Sequence, residues 1–139
     1  MNNVEWTPEW LAETIKLLRT HGSDTQFIEV KKAHGGYPGS LDATLGSFSN
    51  SSTGGIIICG LDENNDFAPV GVYDPADLEK TLRNKHHRGL KPPNTLESGN
   101  IHYEDTKIFV AAVPQLPPYE RPAYIGGKAY VRSGDGDPE

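Results

Sequence analysis

The sequence predicts an α/β domain, a mixed β-sheet with about three packed helices, and three observations carry that prediction. The stretch Gly54-Gly55-Ile56-Ile57-Ile58-Cys59-Gly60-Leu61-Asp62 is apolar at every position between its glycines. It reads as a short strand buried on both faces, in the middle of a sheet with a layer packed on each side. The run Ile108-Phe109-Val110-Ala111-Ala112-Val113 has the same character and predicts a second central strand. Around these runs lie three segments with helical periodicity and helix punctuation. A length of 139 residues fits one domain with a real core.

Thr7-Pro8-Glu9 opens the first helix: Thr7 as N-cap, Pro8 at the first helical position, and Glu9 at the positive end of the dipole. Leu11, Ile15 and Leu18 form its apolar stripe, and Gly22 stops it. Ser40 is the expected cap of a second helix, with Asp42 in its first turn and Leu41, Leu45 and Phe48 on its buried face. Asp74-Pro75 starts a third, with Leu78 and Leu82 inward.

Residues 27–31 alternate, so Ile28 and Val30 share one face while Phe27, Glu29 and Lys31 share the other. Glu29 and Lys31 can thus approach a common ligand, or form an ordinary exposed ion pair worth little. The central strand is expected to run through the acidic turn 62–66 and return as Val70-Gly71-Val72, making 56–72 a hairpin. Residues 101–103 and 107–113 predict a second hairpin. Tyr124-Ile125, Gly126-Gly127 and 129–132 predict a third with a two-glycine turn. The polar tail 133–139 follows a strand so abruptly that the chain reads as a fragment of a longer protein.

One cysteine excludes an internal disulfide framework and suits a reducing cytosol, and no segment reads as signal peptide or membrane span. Cys59 reads as a small buried hydrophobe. A net charge of -6 counts against a generic nucleic-acid binder. The charge is segregated, however. Six acids and no Lys or Arg lie between Asp62 and Glu79, whereas 80–91 holds Lys80, Arg83, Lys85, Arg88 and Lys91. Such polarity marks either a binding face or a solvated helix end followed by a basic loop. The loop 33–39 leading into a helix could cradle a phosphate, but neither a P-loop nor a dinucleotide glycine pattern is present.

Several pieces together resemble the Schlafen-type AlbA domain of bacterial transcriptional regulators and eukaryotic Schlafen proteins. They are Asp24 followed by Glu29-Val30-Lys31, then Ser47-Phe48-Ser49-Asn50, Gly54-Gly55, and Gly60-Leu61-Asp62-Glu63. Near the end come Pro122-Ala123-Tyr124, Gly126-Gly127 and Tyr130-Val131-Arg132-Ser133-Gly134. The order is the family's and spans almost the whole chain, 1–139 being read as a single such domain. Asp24 stands where the family prefers Glu, and Val30 where it prefers an aromatic.

The resemblance implies a nucleic-acid-binding domain of a cytoplasmic transcriptional regulator, contacting DNA or RNA weakly through Lys31, Lys32, Lys128 and Arg132. Homodimerisation would double those contacts, and a further C-terminal domain would complete the regulator. By the same resemblance, Asp24, Glu29 and Asp62 would be catalytic in a metal-dependent endoribonuclease, with Mg²⁺ or Mn²⁺ on their hard oxygens. A third reading is a structural or nucleotide-binding accessory domain, ATP being the nucleotide that bacterial members suggest. No cofactor is required by the first reading.

Overall fold

The computed structural model describes residues 4–22 and 25–131. Asp24, Arg132 and the tail 133–139, all singled out above, lie outside the described residues. The elements run α1 (Pro8–His21), β1 (Ile28–Lys31), α2 (Leu41–Ser49), β2 (Gly55–Cys59), β3 (Leu61–Asp62), β4 (Ala68–Pro69), α3 (Pro75–Gly89), β5 (Leu90–Lys91), β6 (Glu97–Tyr103), β7 (Thr106–Val113) and β8 (Tyr124–Ile125). The architecture is the expected α+β one, a four-stranded mixed sheet of order β1-β2-β7-β6 with three helices on it.

The two apolar runs are the two inner strands. β2 pairs parallel with β1, Glu29 opposite Ile57, and antiparallel with β7, Ile57 opposite Ala111. Period two then sorts the side chains. Ile56, Ile58, Ile108 and Val110 join Ile28 and Val30 under the Leu11-Ile15-Leu18 stripe of α1. On the other face Ile57, Cys59, Phe109 and Ala111 join Leu41, Leu45 and Phe48 of α2 and Leu78 and Leu82 of α3. A strand clamped between two apolar layers has no position for a polar side chain, which is why the sequence spells it as it does.

Helix punctuation acts largely as expected. Thr7 Oγ1 accepts from the Trp10 amide at 3.1 Å, and Gly22, at φ 86°, donates to Leu18 O at 2.7 Å. Asp74 caps α3 through the Asp77 amide. Ser40 precedes α2 but makes no side-chain cap bond. The double glycine has a packing reason: a Cβ on Gly55 would stand 2.4 Å from the ring of Phe48, itself fully buried. Only a bare backbone lets α2 approach β2 so closely.

Four expectations are corrected. Val70-Gly71-Val72 is not a strand; β3 pairs with β4 instead, so the hairpin closes at Ala68–Pro69. The last hairpin shrinks to a single Ile125–Lys128 bridge, while Tyr124-Ile125 pairs with Leu90-Lys91 of β5. Phe27 lies just before β1 and packs with Ile28 and Val30 on the α1 side rather than with Glu29. The basic stretch 80–91 is mostly the second half of α3 rather than a loop.

A buried polar network ties the helical layer together. His86 Nε2 donates to Asn94 Oδ1 at 2.5 Å, and Asn94 Nδ2 donates to Ser49 Oγ at 2.8 Å and Pro114 O at 2.7 Å. With Asn94 Nδ2 engaged twice, its Oδ1 is the acceptor, which puts a proton on His86 Nε2.

Ile57 is completely buried in the middle of β2, under α2 and α3. Ile57→Asp should unfold the domain, since a buried unpaired carboxylate costs several kcal/mol against a total stability of about 5–15 kcal/mol. Wild-type thermal unfolding of that variant would show that β2 is not the core strand.

Candidate functional site

Because β1 and β2 run parallel, their carboxyl ends lie side by side, the end of an α/β sheet at which ligands characteristically bind. There the Gly60 amide donates to Lys31 O at 2.9 Å, and Gly60 O accepts from Val70 N at 2.8 Å and Gly71 N at 3.0 Å. Gly60 sits at φ 113°, and a Cβ there would press on Ile108 Cδ1 at 3.0 Å. This glycine turns the chain out of β2 and carries Asp62 across to the end of β1.

The turn gathers four of the predicted residues. Lys31 Nζ lies 3.1 Å from Glu29 Oε2, and Lys32 Nζ lies 3.7 Å from Asp62 Oδ2. Asp62 Oδ1 also accepts from the Asn64 amide at 3.1 Å, capping a short 3₁₀ turn over Glu63–Asn65. Glu29 is only 4% exposed, so the pair with Lys31 is a buried one and not the ordinary surface pair expected. Lys128 is not part of this cluster. It sits in the turn after β8, in a two-stranded sheet with β5, separate from the sheet that carries Lys31.

Two further groups extend the cluster, and neither was foreseen. Tyr37, from the loop after β1, packs against the core that holds Cys59, and its hydroxyl donates to Asp42 Oδ1 at 2.7 Å. Asp42 Oδ2 in turn lies 3.7 Å from Lys85 Nζ on α3. Three carboxylates, Glu29, Asp42 and Asp62, thus each face one lysine. Asp42 was read only as a first-turn acid, and nothing in local spacing links it to a lysine 43 positions later. Only the docking of α2 beside α3 does.

Burial pushes the Cys59 thiol up to about 12, with Lys31 opposing the rise and Glu29 adding to it. Burial, then the hydrogen bond and charge of Asp42, raise the Tyr37 hydroxyl as well. Cys59 is thus a packed hydrophobe and not a nucleophile at neutral pH.

Among the described residues no group of three or more His, Cys, Asp or Glu is arranged to hold an ion. Glu29 and Asp62 already face ammonium groups, and Asp24, the third ligand implied by the resemblance, lies outside the described residues. Mg²⁺ or Mn²⁺ would need further oxygen ligands.

The raised thiol has a thermodynamic consequence. An unfolded cysteine titrates at 9.0, so the folded protonated thiol contributes its full stability below that pH and loses it as pH climbs toward about 12. The unfolding free energy from urea titrations should fall across this window by on the order of 1 kcal/mol per pH unit, with Tyr37 adding to the alkaline end. In Cys59→Ala the cysteine part of that slope should vanish, and an identical alkaline limb in the variant would show that the thiol titrates normally.

Comparison with known proteins identifies the fold and the family. The N-terminal domain of a RecG-related protein from Nitrosomonas europaea, solved by NMR in solution, superposes with a TM-score of 0.69 at 23% identity, covering 90% of this chain and 89% of that one. The crystal structure of the DIP2311 protein from Corynebacterium diphtheriae gives a TM-score of 0.56 at 14% identity; the match covers 93% of this chain and 26% of that chain. Among curated proteins none matches. Both likenesses show the fold alone. The family model of Schlafen, AlbA_2, matches residues 24–139, and the chain belongs to that family.

Proposed function

We propose that the domain is a nucleic-acid-binding module of a cytoplasmic bacterial transcriptional regulator, receiving phosphate groups at the carboxyl ends of β1 and β2. The observation that carries this reading is the placement of Lys31 and Lys32 at that strand end, each facing one carboxylate. An ammonium has three donors, and a single carboxylate leaves donors for a phosphate oxygen. Lys32, whose side chain is 56% exposed, is the better placed of the two; Lys31 is 28% exposed. Family membership supports the reading, and the Nitrosomonas neighbour takes its name from a DNA helicase. Lys128 and Arg132 would serve as outlying phosphate contacts, and DNA and RNA are both admissible partners. No helix among the described residues is long and apolar enough to cross a membrane.

The same cluster supports a second reading, a divalent-metal-dependent ribonuclease, because Lys32–Asp62 brings together positions 30 residues apart in an arrangement of acids beside lysines. Asp24, Glu29 and Asp62 would be its ligands. Adding Mn²⁺ should then raise the melting temperature of the wild type and not of Asp62→Asn, alongside cleavage of structured RNA. Unchanged melting in millimolar Mn²⁺ would sink that reading without touching the first. An ATP-binding or purely structural accessory role remains the third proposal, and ATP is assayed by the same melting shift.

For the binding reading, each duplex phosphate neutralised contributes about 0.9 to the slope of log K against log salt. Lys32→Ala should therefore flatten the wild-type slope by about one unit. Removing Lys31 alone would strand the buried Glu29 charge at a cost of about 3–5 kcal/mol, so its contribution is tested in the paired variant Glu29→Gln with Lys31→Gln. No binding of wild type to DNA or RNA in ~20 mM salt would reject the module reading outright.

A further inference from the structure

The basic stretch 80–91 holds five of the chain's thirteen Lys and Arg residues, and the cluster at the strand ends uses only Lys85 of them. On α3 the residues Thr81, Asn84, Lys85 and Arg88 recur at helical spacing and line one open groove of about 420 Å³ together with Gly89. The β5–β8 ribbon lies next to the end of this helix. Gly89 packs against Ile125, where a Cβ would lie 3.3 Å from Ile125 Cγ1, so β8 abuts the last turn of α3. In the β5–β8 ribbon Leu90 and Ile125 are opposite one another and buried. Period two then turns the next pair, Lys91 and Tyr124, outward side by side. Lys91 is exposed and Tyr124 is 48% exposed.

Along this line the cations outnumber the acids. Arg88 and Lys91 form no ion pair among the described residues, and Lys85 faces Asp42 at 3.7 Å. Asp77, one turn before Thr81, puts negative charge in the first turn of the helix, away from Arg88 in its last turn. Arg83, which pairs with Glu79, belongs to the neighbouring face. A cationic track ending in an exposed aromatic ring, in a domain of net charge -6, is complementary to a flexible polyanion that carries stackable rings.

We propose that the outer face of α3, from Asn84 through Arg88 to Lys91 and Tyr124, is a docking track for single-stranded nucleic acid. Lys85, Arg88 and Lys91 follow the phosphates, and Tyr124 stacks one unpaired base. A duplex offers its phosphates but not a free base face, so the tyrosine makes the track selective for single strands. This rests on the nucleic-acid-binding reading and gives it a second surface, remote in sequence from Lys31 and Lys32.

The test measures binding of the full chain to a fluorescent twelve-residue oligothymidylate, and to a duplex of the same length, across a salt series. For single strands each phosphate contributes about 0.7 to the slope, so Arg88→Ala with Lys91→Ala should flatten it by about 1.4 units. Tyr124→Ala should weaken single-strand binding roughly 5- to 100-fold at unchanged slope and leave duplex binding unaltered. All three residues are exposed, so the variants should melt like wild type, and Tyr124→Phe should retain wild-type affinity. If Lys32→Ala weakens binding while the α3 variants do not, the track is wrong and the module reading stands. If wild type binds neither oligonucleotide, both fall. Displacement of the oligonucleotide by polyglutamate of equal charge, with no effect of Tyr124→Ala, would assign the face to an acidic peptide and overturn the proposal.

Discussion

β2 has no solvent face, and the rest of the domain is arranged by that constraint. Ile57 and Cys59 must be covered on one side and Ile56 and Ile58 on the other, so one helix is required below the sheet and two above it. The approach of α2 is set by the Gly55–Phe48 contact, which is closer than any side chain at that position would allow. With β2 sealed on both faces, the polar residues that follow it can stand only where the strand ends. Gly60 provides that end, and the acid–lysine pairs collect around it because charges excluded from the layers still need partners where the backbone turns.

The depth of Glu29 has a bearing on what the cluster can do. A carboxylate that buried needs a close cation and hydrogen-bond partners, so Lys31 is committed to it for structural reasons before any ligand arrives. Lys32 is under no such obligation: its pair with Asp62 is longer, and its side chain is more exposed. The two lysines are adjacent in sequence, yet Lys31 ends β1 and pairs with the buried Glu29, while Lys32, just past the strand, pairs with the more exposed Asp62. The inner pair therefore fixes geometry while the outer one is free to exchange its partner.

Much of this was legible in the sequence because it was local. The α1 stripe, its Thr7 cap and Gly22 stop, the two inner strands, and the shared face of Glu29 and Lys31 all follow from periodicity within ten residues. Where the reading went astray, tertiary contacts decided. Val70-Gly71-Val72 looks like a strand, but Gly60 O takes the amides of Val70 and Gly71, and Val72 bonds to Lys107 O instead of forming a ladder. Tyr124-Ile125 found a better partner in Leu90-Lys91 than across its own glycine turn, since that pairing buries Ile125 between α2 and α3. Asp42 and Lys85 carry no sequence mark of their pairing at all. The family resemblance was readable because its motifs sit at these same constrained points: the double glycine at Phe48, and the Gly-x-Asp turn where β2 stops.

The net charge of -6 argues against a generic polyanion binder only if charge acts as a sum. At physiological ionic strength the Debye length is about 8 Å, so exposed charges further apart than that scarcely sense one another. α3 alone runs fifteen residues, or about 22 Å at 1.5 Å per residue, with Asp77 near one end and Arg88 near the other. Asp74 and Asp77 at its start are then largely screened from the last turn of the helix, and a phosphate there meets mainly the local charges and not the average of the domain. Salt that screens the distant acids also weakens the contacts themselves, so such a face holds its ligand through several weak phosphate contacts. An aromatic ring, whose stacking is much less sensitive to salt, is what such a surface needs to retain a strand at cellular ionic strength.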